Sequence, residues 1–177
     1  MIDLKKFCAE EGIGRSNIEK PFTKSQWTYA TNGHICVRVP KRNGIEENPE
    51  APSCEGLFQA ANRRGPYKWV DVPNVKVKQV KCRDCEGTGK WDDIDKRRYD
   101  CDECGSTGKI TKHEPVKFKI MGVTIALANV YLDLIKKALP NPQIGLIKDA
   151  GNWSLPAKVI PVKVRFDGGC GLLMAIW

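Results

Sequence analysis

Two short segments of the chain repeat one cysteine pattern, Cys82-Arg-Asp-Cys85-Glu-Gly-Thr-Gly89 and Cys101-Asp-Glu-Cys104-Gly-Ser-Thr-Gly108. Fifteen residues separate the two Cys-x-x-Cys pairs, a spacing typical of four-cysteine zinc sites. Two residues between cysteines let one tight turn direct both sulfurs at a single ion, about 2.3 Å from each. We therefore predict one structural zinc ion, because a closed all-thiolate site leaves no coordination position for water or substrate. Its predicted ligands are Cys82, Cys85, Cys101 and Cys104.

The same residues resemble the Cys-x-x-Cys-x-Gly-x-Gly repeat in the cysteine-rich region of DnaJ-type J-domain co-chaperones. That family has four repeats and two zinc ions, whereas this chain has two repeats, enough for one ion. The second repeat departs from the pattern at Ser106, and the sequence has no His-Pro-Asp signature of a J-domain. The resemblance therefore implies a local shape, two knuckles at the base of a hairpin-like finger, and not co-chaperone activity.

Aromatic and basic residues flank the polar tip between the two knuckles, with Lys90-Trp91 before it and Arg98-Tyr99 after it. One interpretation is that Trp91 and Tyr99 pack against each other across a hairpin, because so small a lobe has little other core. The alternative is a stacking platform for bases or a docking surface for a partner. Aromatic residues and arginine contribute most of the binding energy at interfaces. The predicted partner-binding residues are Trp91, Arg97, Arg98 and Tyr99.

The rest of the chain predicts an α+β fold with an antiparallel sheet and two packed helices. A short amphipathic helix is expected over 2–11, and a hairpin around Asn32-Gly33. The proline-rich stretch 41–75 is interpreted as a connecting loop with one turn of helix near 55–62. A second helix is predicted over 130–139, N-capped by Asn129. Further strands are predicted at 75–80, 116–125 (turning at Met121-Gly122), 143–147, 159–166 and 171–177.

The order of the predicted helices and strands, which lie on both sides of the cysteine repeats, predicts that the finger is inserted into the α+β body. Residues 1–75 form the N-terminal half of the body, residues 76–115 the four-cysteine zinc finger, and residues 116–177 the C-terminal half.

In the body, Ala30-Thr-Asn-Gly-His34 resembles the Ala-Thr-Asp-Gly-His stretch of bacterial sliding clamps. Asn129-Val-Tyr-Leu132 and the closing Gly-Leu-Leu-Met-Ala-Ile are similar to the last-domain helix and final strand of those clamps. Small phage proteins of unknown role are similar as well, so the resemblance implies a clamp-domain-like body and a phage or prophage origin.

The net charge of +8 is spread along the chain, with an excess of +2 in residues 1–75, +3 in 76–119 and +3 in 120–177. Four thiolates and Zn²⁺ add a charge of about −2 to the finger. The charge therefore indicates DNA binding no more strongly than it indicates a solvated surface.

No apolar run approaches the roughly 18 residues of a membrane span. Isolated cysteines beside a thiolate site predict a reducing, cytoplasmic compartment: Cys8, Cys36, Cys54 and Cys170.

Residues that would support catalysis are few. The chain has two histidines: His34 is expected to be an exposed turn residue, and His113 follows the finger. No cationic partner for Cys170 is visible in the sequence.

We therefore predict a non-enzymatic, zinc-stabilised adaptor or inhibitor that docks on a host or phage protein complex for replication or defence. The alternatives are a clamp-related, DNA-associated accessory factor and a zinc-dependent hydrolase, which would need an incompletely closed metal site. Neither the partner nor the oligomeric state follows from the sequence.

Overall fold

A computed structural model of the protein describes residues 1–12, 14–63, 66–94, 97–120, 123–147 and 161–175. Strands predominate among these residues, with short helices between groups of strands. Two 3-10 helices, Leu4–Phe7 and Ser16–Ile18, come first. The strands are β1 (Phe22–Lys24), β2 (Trp27–Thr31), β3 (Ile35–Pro40), β4 (Tyr67–Asp71), β5 (Lys78–Lys81), β6 (Lys90–Asp92), β7 (Arg98–Asp100), β8 (Lys109–Lys112), β9 (Pro115–Ile120), β10 (Val123–Ala128), β11 (Gln143–Ile147), β12 (Pro161–Phe166) and β13 (Gly169–Met174). The α-helices are α1 (Cys54–Arg63), between β3 and β4, and α2 (Asn129–Ala138), between β10 and β11.

Seven of the described strands form the main sheet, in the order β1-β2-β3-β13-β12-β11-β4. Every neighbouring pair in this sheet is antiparallel. Three further antiparallel pairs lie outside it: β5 with β8, β6 with β7, and β9 with β10. The predicted α+β class, with an antiparallel sheet and two helices, is therefore confirmed.

One face of the main sheet carries the larger core. Ile35, Val37 and Val39 of β3 point to this face, and α2, the β9–β10 hairpin and the first 3-10 helix pack against it. Burying an aliphatic or aromatic side chain of this size stabilises the fold by about 1.5–3 kcal/mol. The packing of this layer therefore holds the two halves of the chain together. Its completely buried side chains include Phe7, Leu127, Leu132 and Ile135.

The opposite face of the sheet is covered by α1. Phe58 of this helix packs beside Tyr29, with ring centroids 6.2 Å apart. Arg38 of β3 lies beneath the helix with a side chain only 10% exposed, and its Nη1 is 2.6 Å from Oε2 of Glu55. Its guanidinium carbon lies 4.1 Å from the ring centroid of Phe58 and 4.5 Å from that of Trp27. Since a buried charge is costly when unpaired, Glu55 compensates Arg38 and links the first turn of α1 to the sheet.

Two of the predicted elements need correction. The loop predicted over 41–75 is wrong, because α1 spans ten residues and β4 joins the edge of the main sheet beside β11. Prolines before and after β4 favoured a loop, yet proline is tolerated next to an edge strand. The helix predicted over 2–11 is a four-residue 3-10 helix. It ends early because Cys8 is already extended and the Ala9 N–H donates to the carbonyl of Ile18.

The remaining predicted elements are close to those observed. The hairpin at Asn32-Gly33 joins β2 to β3, and the strand predicted over 143–147 is β11. The strand predicted over 75–80 begins at Lys78. The turn at Met121-Gly122, the start of the strand over 159–166 and the end of that over 171–177 lie outside the described residues. None of the helices among the described residues is long and apolar enough to cross a membrane.

Asn129 connects the finger to the body. It is the first residue of α2 and is 2% exposed. The residue at the N-cap is Ala128, so the predicted N-cap is displaced by one position. Its Oδ1 accepts hydrogen bonds from the N–H groups of Val130 at 2.9 Å and Glu114 at 2.8 Å. Its Nδ2 donates to the carbonyl oxygen of Lys76 at 3.2 Å. The segments that enter and leave the finger, just outside β5 and β8, are therefore held by one buried amide.

Replacing Lys81 to Lys109 with a short Gly-Ser turn should leave a folded body. The finger's buried cysteines form a cluster separate from the two clusters of the body, and the replacement keeps the hydrogen bonds of Asn129. The free energy of loop closure changes by only about 0.6 kcal/mol for each halving of the loop. We expect thermal unfolding monitored by circular dichroism to stay cooperative, with no metal bound. A molten or insoluble product would show that the finger is part of the core.

Candidate metal centre

The two knuckles have the same backbone geometry and bond to each other reciprocally. The Cys82 N–H donates to the carbonyl of Gly108 at 2.9 Å, and the Cys101 N–H donates to that of Gly89 at 3.0 Å. Within each knuckle a threonine hydroxyl donates to the carbonyl of the second cysteine, at 2.7 Å for Cys85 and 2.6 Å for Cys104. The sequence repeat is thus also a structural repeat, with a local two-fold relation between its halves.

The four predicted ligands are brought together between the knuckles. Their sulfurs all lie within 4.8 Å of one another, and the four cysteines are at most 9% exposed. Sγ of Cys82 is 3.8 Å from Sγ of Cys101, and Sγ of Cys85 is 3.7 Å from Sγ of Cys104. A tetrahedron with about 2.3 Å from its centre to each sulfur has edges of about 3.8 Å. The cluster therefore has the size that a tetrahedral metal ion requires.

Backbone amides donate to the second sulfur of each knuckle. The Gly89 N–H donates to Sγ of Cys85 and the Gly108 N–H donates to Sγ of Cys104, both at 3.2 Å. Burial raises the pKa of the Cys85 thiol, but hydrogen bonds from the Gly89 and Gly87 amides, together with those of the neighbouring Cys104 and Cys82 thiols, lower the pKa to about 6. Since the thiolate is the metal-binding form, these amides favour the ligand state of Cys85.

The last glycine of each knuckle touches the backbone of the other knuckle. A Cβ on Gly89 would lie 2.1 Å from the carbonyl oxygen of Ser106, and a Cβ on Gly108 would lie 2.2 Å from that of Gly87. Ser106 has φ +64°, close to the +86° of its counterpart Gly87. The departure from the repeat at Ser106 is tolerated because its carbonyl, and not its side chain, faces the opposite knuckle.

At the tip, Trp91 and Tyr99 are directly opposite each other in the β6–β7 pair. Their ring centroids are 5.0 Å apart with an interplanar angle of 25°, so the predicted packing across the hairpin is confirmed. The rings nevertheless stay 46% and 41% exposed. Arg98 Nε lies 3.4 Å from Oδ1 of Asp92, and the Arg97 N–H donates to Oδ1 of Asp93. The four predicted partner-binding residues thus all lie at the end of the finger.

Neither histidine belongs to the sulfur cluster. His34 is exposed, as predicted, and stacks on Tyr131 with ring centroids 5.6 Å apart, while His113 meets the same ring edge-on at 6.2 Å. Cys170 has a cationic neighbour that the sequence did not reveal, since Arg38 Nε donates to its Sγ at 3.3 Å. The two residues are far apart in the chain, so only their antiparallel register in β3 and β13 indicates this contact.

Changing one cysteine of the cluster should remove the metal. Protein purified without chelators should contain one ion per chain by elemental analysis, whereas Cys85→Ser should contain almost none and lose the finger's structure. The reason is that metal binding supplies most of the folding free energy of such lobes. Cys170→Ser, a change of the same chemistry in the body, should keep the full metal content. Two ions per chain, or an ion retained by Cys85→Ser, would contradict the assignment.

Gly89→Ala and Gly105→Ala should differ in their effect on metal affinity. Both glycines have positive φ, but a Cβ on Gly105 meets no atom within 4 Å, whereas one on Gly89 meets the opposite backbone. Left-handed backbone costs an alanine about 1–2 kcal/mol, so Gly105→Ala should weaken the site modestly. Gly89→Ala should weaken it much further, measured by competition with a chromophoric chelator. Equal losses would show that the contact between the knuckles does not matter.

Comparison with known proteins gives no relative from which a role could be transferred. No protein-family model, no curated protein and no solved structure matches the chain. The DnaJ-type and clamp resemblances therefore stay predictions from the residues that carry them.

Proposed function

We propose that the chain is a non-enzymatic binding protein, in which a structural Zn²⁺ holds a finger that docks on a protein partner through its tip. The observation that carries this proposal is the stacked pair of Trp91 and Tyr99, which stays nearly half exposed at the end of a metal-held hairpin. Aromatic side chains with few rotatable bonds bind partners at a small entropic cost. Their mutual stacking orders them before a partner arrives.

A structural role for the metal follows from the ligand set. Four thiolates satisfy the tetrahedral preference of Zn²⁺ and leave no position for a water molecule or a substrate. A zinc-dependent hydrolase needs such an open position. The closeness of all four sulfurs, within 4.8 Å, therefore supports the structural role and the binding function over the hydrolytic alternative.

The tip concentrates the exposed apolar surface of the described chain. Three of its six exposed large hydrophobic side chains are Trp91, Ile94 and Tyr99. Arg97 and Arg98 lie beside them, and arginine joins aromatic residues at interface hot spots. A patch of aromatic and apolar side chains with adjacent arginines suits a protein surface that offers a pocket edged by carboxylates. An adaptor or inhibitor of a host or phage complex is the role we assign to it.

Removing the two rings should weaken partner binding without affecting the metal. Trp91→Ala combined with Tyr99→Ala should lower the amount of a partner retained from a native-host extract by at least tenfold, because hot-spot side chains contribute roughly 2 kcal/mol or more each. Zinc content should stay at one ion per chain. Retention is measured by quantitative mass spectrometry of proteins captured on the immobilised chain.

Leu57→Ala serves as the matched control, because Leu57 is a 53% exposed apolar residue on α1 of the body. This variant should capture the same partner in the same amount as the unchanged chain. An undiminished partner on the double variant would place the interface on the body and contradict the proposal.

A further inference from the structure

Lysines face each other across the stem of the finger. In the β5–β8 pair, Lys78 is directly opposite Lys112, and Lys81 is directly opposite Lys109. All four are exposed. We call these four residues the lysine ribbon.

Such pairing is unfavourable for the finger alone. Like charges directly opposite each other destabilise a strand pair, and a two-stranded ribbon has little stability to spare. Among the described residues, only Lys112 of the ribbon forms an ion pair, with Nζ 3.0 Å from Oε1 of Glu114. The ribbon therefore keeps a concentration of positive charge that its own packing does not require.

The charge of the metal centre explains only part of this concentration. Four thiolates and Zn²⁺ carry about −2, and Lys81 lies beside the first knuckle, with its Cγ 3.0 Å from where a Cβ of Gly87 would be. The outer pair, Lys78 and Lys112, is three residues further along its strands, about 10 Å away. The negative charge of the metal centre therefore does not account for the positive charge of the outer pair.

The basic surface continues into the next strand. β8 leads through His113 and Glu114 into β9, where Val116 and Phe118 pack against the body core. Because successive side chains of a strand point to opposite faces, Lys117 and Lys119 face outward, and both are exposed. Positive charge thus extends from the stem of the finger onto the adjoining hairpin.

We propose that the lysine ribbon binds the phosphate backbone of duplex nucleic acid by entering the major groove. Strands in a pair are about 4.7–4.9 Å apart, and the major groove is about 12 Å wide and admits a two-stranded ribbon. Lys78 and Lys112 lie on one face of the ribbon, while Lys81 and Lys109 lie on the other. A ribbon standing in the groove between two sugar-phosphate backbones presents one pair to each. This binding is independent of the protein docking assigned to the tip.

The test is the salt dependence of binding to a 20-base-pair DNA duplex, followed by fluorescence anisotropy in 50–200 mM NaCl with the full zinc-loaded chain. Each phosphate contact contributes about −0.9 to the slope of log K against log salt. Changing Lys78, Lys81, Lys109 and Lys112 to Gln should flatten the slope by about 3–4 units. These side chains are exposed and none is a predicted metal ligand, so metal content should not change. The unfolding midpoint should stay the same or rise, because the opposed like charges are removed.

A matched control removes the same charge elsewhere. Changing four exposed lysines of the body to Gln should leave the slope nearly unchanged: Lys6, Lys20, Lys68 and Lys136. Equal flattening by both quadruple variants would show a diffuse charge effect and overturn the proposal. Equal affinity for the single strand of the same length would overturn groove insertion. Binding of poly-glutamate with the affinity of the duplex would assign the ribbon to an acidic polypeptide instead.

Discussion

The finger depends on one constraint, that four sulfurs meet around a single point. Its β5, β6 and β7 strands are exposed along their whole length, and the buried cluster of the lobe consists of the four cysteines with Ile110 packed against them. An isolated pair of strands is marginally stable in water. A structural zinc ion supplies about 10–16 kcal/mol in zinc-finger peptides, so an ion bound by this cluster would take the place of a hydrophobic core. The reciprocal hydrogen bonds between the knuckles hold the two halves around the same point.

The parts of the structure that the sequence predicts well are those set by neighbouring residues. The cysteine spacing, the Asn32-Gly33 hairpin and the apolar face of α2 each reflect interactions over a few positions, and the four sulfurs meet as their spacing predicts. β4 was missed because its place depends on pairing with β11, more than seventy residues away. The hydrogen bonds of Asn129 and the contact of Arg38 with Cys170 are likewise long-range. No local pattern encodes such partners, since they are chosen by the register of the sheet.

The chemistry of the finger changes along its length. Its far end carries stacked aromatic rings whose neighbouring charges are paired in part, as in Arg98 with Asp92. Its stem carries two lysines on each face, and among the described residues only Lys112 of these four has an ion pair. The four-cysteine cluster lies between these regions, and a metal ion bound there would hold them together. A rigid connection of this kind would let the two ends act on different classes of molecule without competing for the same surface.

The anchoring of both finger strands at Asn129 has a mechanical consequence. Lys76 on the entering side and Glu114 on the leaving side share one buried amide at the first turn of α2. On two separate flexible linkers the finger would rotate freely relative to the body, and a force on its far end would not reach the body. With both connecting segments bonded to Asn129, a force on the far end of the finger would act on the first turn of α2. The same helix contributes Leu132 and Ile135 to the body core.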